Sequence, residues 1–297
     1  MKEITLEELL EAGCHFGHQV TRSNPKARDF VFEARDNIQI IDLAKTKQGL
    51  DEAAEFVKAL GLSGKTLLVV ATKKQAKQAV EEEVQKTREE IKEKIEKNGQ
   101  NLFFVTQRWV GGVLTNFSEV SKNFKKLADL KAKIENPEEK AKYTKKEIGL
   151  WDKEIQRLEL FYQGINTMTQ KPDALFIVDS HLENLAIREA LVTKVTTVAI
   201  VDTNADPFII DYPIPANDDA VGSIKLIVSH ILEAFAEGVK AQKEVKVEEE
   251  GKETKETKPK EKTEKKEVEE KVKKEVKVKP VKETKTKTSK PKAAKKK

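Results

Sequence analysis

One cysteine in 297 residues, Cys14, has no partner within the chain. A disulfide framework is therefore excluded, and a reducing compartment suits the sequence. No stretch reaches the roughly 18 to 20 apolar residues that cross a bilayer. The opening MKEITLEELLEAG is broken by acidic residues and lacks the apolar core of a secretory signal, so a cytoplasmic protein is expected. Aromatic residues make up 6% of the chain, and none lies beyond residue 242. From Lys243 to Lys297 Arg and Asp are missing too, while 22 Lys and 13 Glu give a net +9.

Set against a whole-chain charge of +5, that tail leaves the first 242 residues at −4. Net charge is therefore no argument for a nucleic-acid-binding body, and only local patches can support one. The tail reads as disordered, because its low hydrophobicity cannot offset the entropy of ordering and like charges in KPKAAKKK repel. The expected division is residues 1–242 as an α/β domain and 243–297 as a disordered Lys/Glu-rich tail. The tail is either a solubilising extension or a non-specific arm for RNA.

Five short apolar, β-branched runs read as strands, at residues 38–41, 66–71, 102–105, 174–178 and 197–201. They are apolar nearly throughout, as in a parallel sheet covered on both faces. Helical patterns separate them. Leu43, Leu50, Ala53, Val57 and Leu60 share one face, and a long charged helix is expected over 74–98. A last helix is expected to begin at Asn217 as N-cap and to bury Val221, Ile224, Val228, Ile231 and Phe235. The alternation predicts a doubly wound, Rossmann- or flavodoxin-like parallel sheet.

Between the third and fourth runs the period changes. Phe117, Val120, Phe124, Leu127 and Ile134 mark one seam, NPEEK interrupts, and Ile148, Trp151, Ile155, Leu158 and Tyr162 mark a second. This predicts an inserted antiparallel coiled-coil helical hairpin over about 116–164. Asn116 with Glu119, and Thr144 with Glu147, have capping-box spacing.

Enzyme-like motifs are present but out of context. ALGLSGKT, residues 59–66, matches a relaxed phosphate-binding loop, yet it ends a helix and opens a strand where a working loop does the reverse. Asp179, Asp202 and Asp206 follow strands, where Mg²⁺ or general-base chemistry could sit, but turn forming and capping is the stronger reading there, and no nucleophile with an adjacent base accompanies them. Cys14, His15 and His18 are candidate metal ligands, but Gly13 and Gly17 break up the segment and a closed zinc site needs four ligands. No metal and no cofactor is expected.

Taken in order, AGCHFGHQ, NPK, IQIIDLAKT, ATKKQA, QRWVGGVLTNF, KPDALFIVD, AIVDTNADP and IPANDDA closely resemble the bacterial small-subunit ribosomal protein S2 family, over about residues 3–238. Ser23, Ala71 and Gly222 depart from its usual pattern. The resemblance implies a non-enzymatic scaffold lodged between head and body of the small ribosomal subunit. It would bind 16S rRNA and neighbouring small-subunit proteins and support docking of the mRNA-binding protein S1. It also implies RNA contacts at Arg22, Asn24, Lys26 and Arg28, then at Lys73, Lys74, Gln107, Arg108, Asn116, Thr203 and Asn204. The His15-Phe-Gly-His18 segment becomes a structural lead-in, and Trp109 is read as an anchor for the hairpin base.

Two other function classes fit parts of the chain. A nucleotide- or metal-dependent enzyme on a Rossmann-like sheet rests on GKT and the strand-end Asp residues. A coiled-coil adaptor without RNA is compatible with the −4 body.

Overall fold

The structure, a computed structural model, describes residues 4–94, 101–136, 140 and 142–242. The chain divides into Met1–Glu244 and Val245–Lys297. The expected tail, from residue 243, and residues 95–98 lie outside the described residues; the helix expected over 74–98 ends at Glu90, where Ile91, with φ of −103° and ψ of 11°, leaves helical geometry.

The first unit opens with α1 (Leu6–Glu11), capped by a Thr5–Glu8 capping box, then β1 (Phe16–Gln19), β2 (Val31–Arg35) and β3 (Ile38–Ile41). These strands form an antiparallel sheet of order β1-β3-β2. Asp36 and Asn37, with φ of 49° and 65°, turn β2 into β3, the left-handed pair a two-residue hairpin favours. The run at 38–41 is thus a strand, as expected, but not of the parallel sheet. A short β-branched run looks alike in either sheet, and only its partners distinguish them.

There follow α2 (Leu43–Leu62), β4 (Leu67–Val70), α3 (Lys74–Glu90), β5 (Leu102–Val105), α4 (Phe117–Glu135), α5 (Lys145–Tyr162), β6 (Ala174–Ile177), α6 (Asn184–Thr193), β7 (Thr196–Val201), β8 (Tyr212–Pro215) and α7 (Val221–Ala241). Strands β4 to β8 make one parallel sheet of order β5-β4-β6-β7-β8. Its edge strand β8 was hidden from sequence reading by Pro213 and Pro215, which only an edge tolerates.

Side chains alternate between two apolar layers. Leu67, Val69, Phe176, Val198 and Ile200 meet α2, α3 and α7; Leu68, Val70, Phe103, Leu175, Ile177 and Ala199 meet α6 and the inner parts of α4 and α5. Fully burying a side chain such as Phe176 or Phe235 stabilises the fold by about 1.5–3 kcal/mol. Helices α2 and α7 cross with almost no gap, since a Cβ on Gly61 would lie 2.6 Å from the Phe235 carbonyl oxygen and one on Gly238 would lie 2.1 Å from that of Lys58.

The start of α7 differs from expectation. Its N-cap is Ala220, and Val221 is 53% exposed, whereas Ile224, Val228, Ile231 and Phe235 are fully buried. Asn217 instead forms a turn, its Oδ1 accepting from the N–H groups of Asp219 and Ala220 while its Nδ2 donates to the Gly13 carbonyl. The Asx turn outcompetes the cap because it also holds the N-terminal segment. In α4 and α5, Asn123 bonds Tyr162, Lys126 pairs with Glu154 at 2.7 Å, and the Lys133 ammonium lies 5.8 Å from the Trp151 ring centre. Thr144 and Glu147 form the full capping box, whereas Asn116 caps α4 without a side-chain bond to the backbone. Its Oδ1 accepts from the Ser118 hydroxyl instead.

Candidate functional site

In an open parallel sheet, sites form outside the carboxyl ends of the strands, where the strand order reverses. Here Lys73 follows β4, Asp179 follows β6, Asp202 follows β7 and Asp218 follows β8. The Lys73 Nζ lies 2.7 Å from Asp218 Oδ1, 2.7 Å from Asp219 Oδ1 and 3.2 Å from Asp179 Oδ2. Burial opposes the Lys73 charge, but the bonds to Asp218 and Asp219 outweigh it and raise its pKa. Asp218 is pushed up to about 7, by burial first and then by Asp179 and Asp202, with Lys73 pulling the other way. The crevice that would admit a substrate is filled by the protein's own cation.

His18 reaches this crevice from the small sheet. Its Nδ1 is 3.0 Å from Asp202 Oδ2, its Nε2 is 3.2 Å from Asn204 Nδ2 and 3.5 Å from Asp219 Oδ2, and its backbone N–H donates to Thr203 Oγ1. The bond to Asp202 raises its pKa against the effect of burial, with Asp218 and Asp219 adding to the rise. One donor atom each of His18, Asp218 and Asp219 lie within 4.8 Å of one another, the one such trio among the described residues. The sequence trio Cys14, His15 and His18 does not converge. Cys14 is fully buried beside Ser223 in the core, where burial raises its thiol pKa, and the His15 ring lies tilted against Phe16.

The loop from Val20 to Phe30 consists of two 3-10 turns, Val20–Arg22 and Pro25–Phe30. Asn24 caps the second by accepting the Lys26 N–H on Oδ1, and its own N–H donates to the Thr203 carbonyl. Ala27 is buried, which leaves Arg22 and Arg28 displayed outward. Lys26 is exposed but pairs with Asp206 at 2.5 Å, a contact no sequence signal announced. Asn24 and Thr203 therefore build the loop's foundation, while Asn204 meets His18 of β1 beside it. Thr203, 2% exposed, also bonds Asp202 through its N–H and hydroxyl.

A second loop joins β5 to α4. Gln107, Arg108 and Asn116 are exposed on it, as Lys74 is on the start of α3. The Gln107 side-chain Oε1 accepts from Lys77 Nζ at 2.9 Å. Beneath the loop lies Glu189 of α6, only 7% exposed. It accepts from Trp109 Nε1, from the N–H groups of Gly112, Leu114 and Thr115, and from the Thr115 hydroxyl. Burial would raise its pKa, but these donors, Gly112 foremost, hold it below the usual carboxylate range. Trp109 is buried as an anchor. Sequence reasoning missed Glu189, although a carboxylate between Ala186 and Ala190 on the buried face of a helix was a signal.

A comparison with protein families matches residues 9–238 to the family described as Ribosomal protein S2. The chain belongs to the ribosomal protein S2 family. Membership gives it a structural, non-enzymatic role in the small ribosomal subunit and in translation.

The motifs that looked enzymatic have other duties in this S2 chain. In ALGLSGKT the N–H groups of Ser63, Gly64 and Lys65 donate to the carbonyls of Ala59, Gly61 and Leu60 and so close the end of α2. Those amides are spent where a phosphate loop would offer them. Asp206 caps the turn at Pro207–Ile209, and Asp179 accepts the Leu182 N–H. No helix among the described residues is long and apolar enough to cross a membrane.

Proposed function

We propose that this S2 chain binds 16S rRNA between the head and body of the small subunit, through loops at the carboxyl ends of its parallel strands, and supports docking of ribosomal protein S1. Arg22, Arg28, Lys74 and Arg108 contact phosphates, with Lys26, Gln107 and Asn116 beside them. Asn24, Lys73, Thr203 and Asn204 hold that surface in shape from behind. The observation that carries this reading is the outward display of Arg22 and Arg28: in a body of net −4, both are exposed and no carboxylate among the described residues pairs with them. Phosphate contacts of this kind fix register without reading sequence.

On this reading α4 and α5 form an antiparallel coiled-coil arm, and residues 243–297 add a salt-sensitive increment of RNA attraction. The tail's Lys and Glu offer no Arg fork and no aromatic for stacking, so they cannot set placement.

The deciding experiment measures rRNA binding across a salt series for the wild-type chain and for R22A/R28A. Two lost contacts lower the slope of log affinity against log salt by about 1.4 to 1.8. A variant that enters small subunits with an unchanged slope would overturn the assignment.

A further inference from the structure

Arg108 and Asn116 lie eight residues apart on a loop with no helix or strand between them, yet that loop is pinned from beneath. Three apolar side chains pin it from inside, Trp109 at 5%, Val113 at 0% and Leu114 at 4% exposure. Apolar burial alone does not set backbone direction, because it is not directional. The direction comes from Glu189. One carboxylate oxygen takes the Gly112 N–H at 2.8 Å and the Trp109 indole at 3.3 Å; the other takes the Leu114 and Thr115 N–H groups at 3.2 and 3.3 Å and the Thr115 hydroxyl at 3.2 Å. Gly112, with φ of 96°, makes the bend that lets these donors converge.

We infer that Glu189 is a positioning residue for RNA binding, setting from beneath the conformation in which Arg108 and Asn116 are presented. This inference rests on the rRNA-binding reading above. Five donors on one carboxylate make the loop conformation all-or-none, since relaxing the bend strands buried N–H groups and a buried charge together. Every donor belongs to the loop, so it is the loop itself that stabilises the buried carboxylate's charge. The same anchor ties α6 to the point where α4 leaves the body, as Asn116 precedes Phe117, the first residue of α4.

The test compares wild type, E189Q, R108A and E189Q/R108A. The carboxamide of E189Q keeps one acceptor oxygen but turns an N–H₂ toward two loop N–H groups, with almost no change of volume. Amide hydrogen exchange at Gly112, Leu114 and Thr115 should quicken about tenfold or more in E189Q. The salt slope for rRNA should fall by about 0.7 to 0.9, one contact's worth, in both single variants. The double variant should fall no further, because Glu189 acts through Arg108. E189D, which keeps the charge one methylene further from the loop, should lie between wild type and E189Q, and gives the same comparison should E189Q not fold. Faster exchange with an unchanged slope, unchanged exchange, or additive losses in the double variant would each overturn the inference. Failure of the wild-type chain to bind rRNA would instead sink the function proposed above, so the two are read from separate arms.

Discussion

The ammonium of Lys73 lies 2.7 Å from Asp218 Oδ1, at the point of the sheet where an α/β enzyme would hold its ligand. Lys73 is only 15% exposed and Asp218 1%, so water screens the pair little. Asp179 and Asp219 complete a ring of carboxylates around one cation. The crevice is thereby converted from a binding site into a structural ion cluster that also fixes His18 and the N-terminal strand.

Removing that cation should be costly and pH-dependent. Lys73→Met leaves buried carboxylates unpaired and should destabilise the fold by about 3 kcal/mol near neutral pH. Asp218 has a folded pKa raised to about 7 by burial, Asp179 and Asp202. Between the ordinary carboxylate range and that value the folded state holds a proton the unfolded state has lost, so stability falls as pH rises through this window. Without Lys73 the window extends upward. Urea denaturation should therefore show a deficit for Lys73→Met that is large at about pH 8 and much smaller at about pH 5. Equal deficits at both would disprove the ion-cluster account.

Asp206 should restrain Lys26. The pair is 2.5 Å apart, and Asp206 Oδ1 also accepts the Phe208 N–H. Asp206→Asn keeps an acceptor for Phe208 and removes the charge that holds Lys26. The variant should bind rRNA more tightly at low salt, with a slope steeper by about 0.7 to 0.9. A slope equal to wild type would mean that Lys26 makes the same phosphate contact in both proteins.

The two long helices should divide into a part the body needs and a part it does not. Val120, Phe124, Leu127, Leu158 and Tyr162 share one apolar cluster with Phe103 and Ile177 of the sheet. Replacing residues 129–153 with a short turn spares all of these, and should lower helix content by circular dichroism while moving Tm by only a few degrees. Replacing 117–162 strips the cluster from the sheet and should unfold the body at markedly lower temperature. Equal Tm losses for the two deletions would refute this division.

Much of this architecture lay in the residue pattern. Four of the parallel strands, the apolar faces of α2 and α7 and the seams of α4 and α5 follow from periodicity, because burial acts on side chains whose spacing the chain already carries. The reversed GKT motif was equally legible, since a helix before it and a strand after it decide which way its amides point. Three things depended on tertiary structure. Residues 38–41 joined another sheet, and Pro213 and Pro215 sat in an edge strand, because pairing partners are chosen by the whole fold. Asn217 made a turn to Gly13 instead of a cap, since a contact 204 residues away outcompeted the local one. The charges were least legible of all. Lys73, Asp218 and His18 meet across the ends of separate strands, and Glu189 meets a loop 74 to 80 residues earlier in the chain. Electrostatic and hydrogen-bonding partners act over a few ångströms of space, whereas sequence records only distance along the chain.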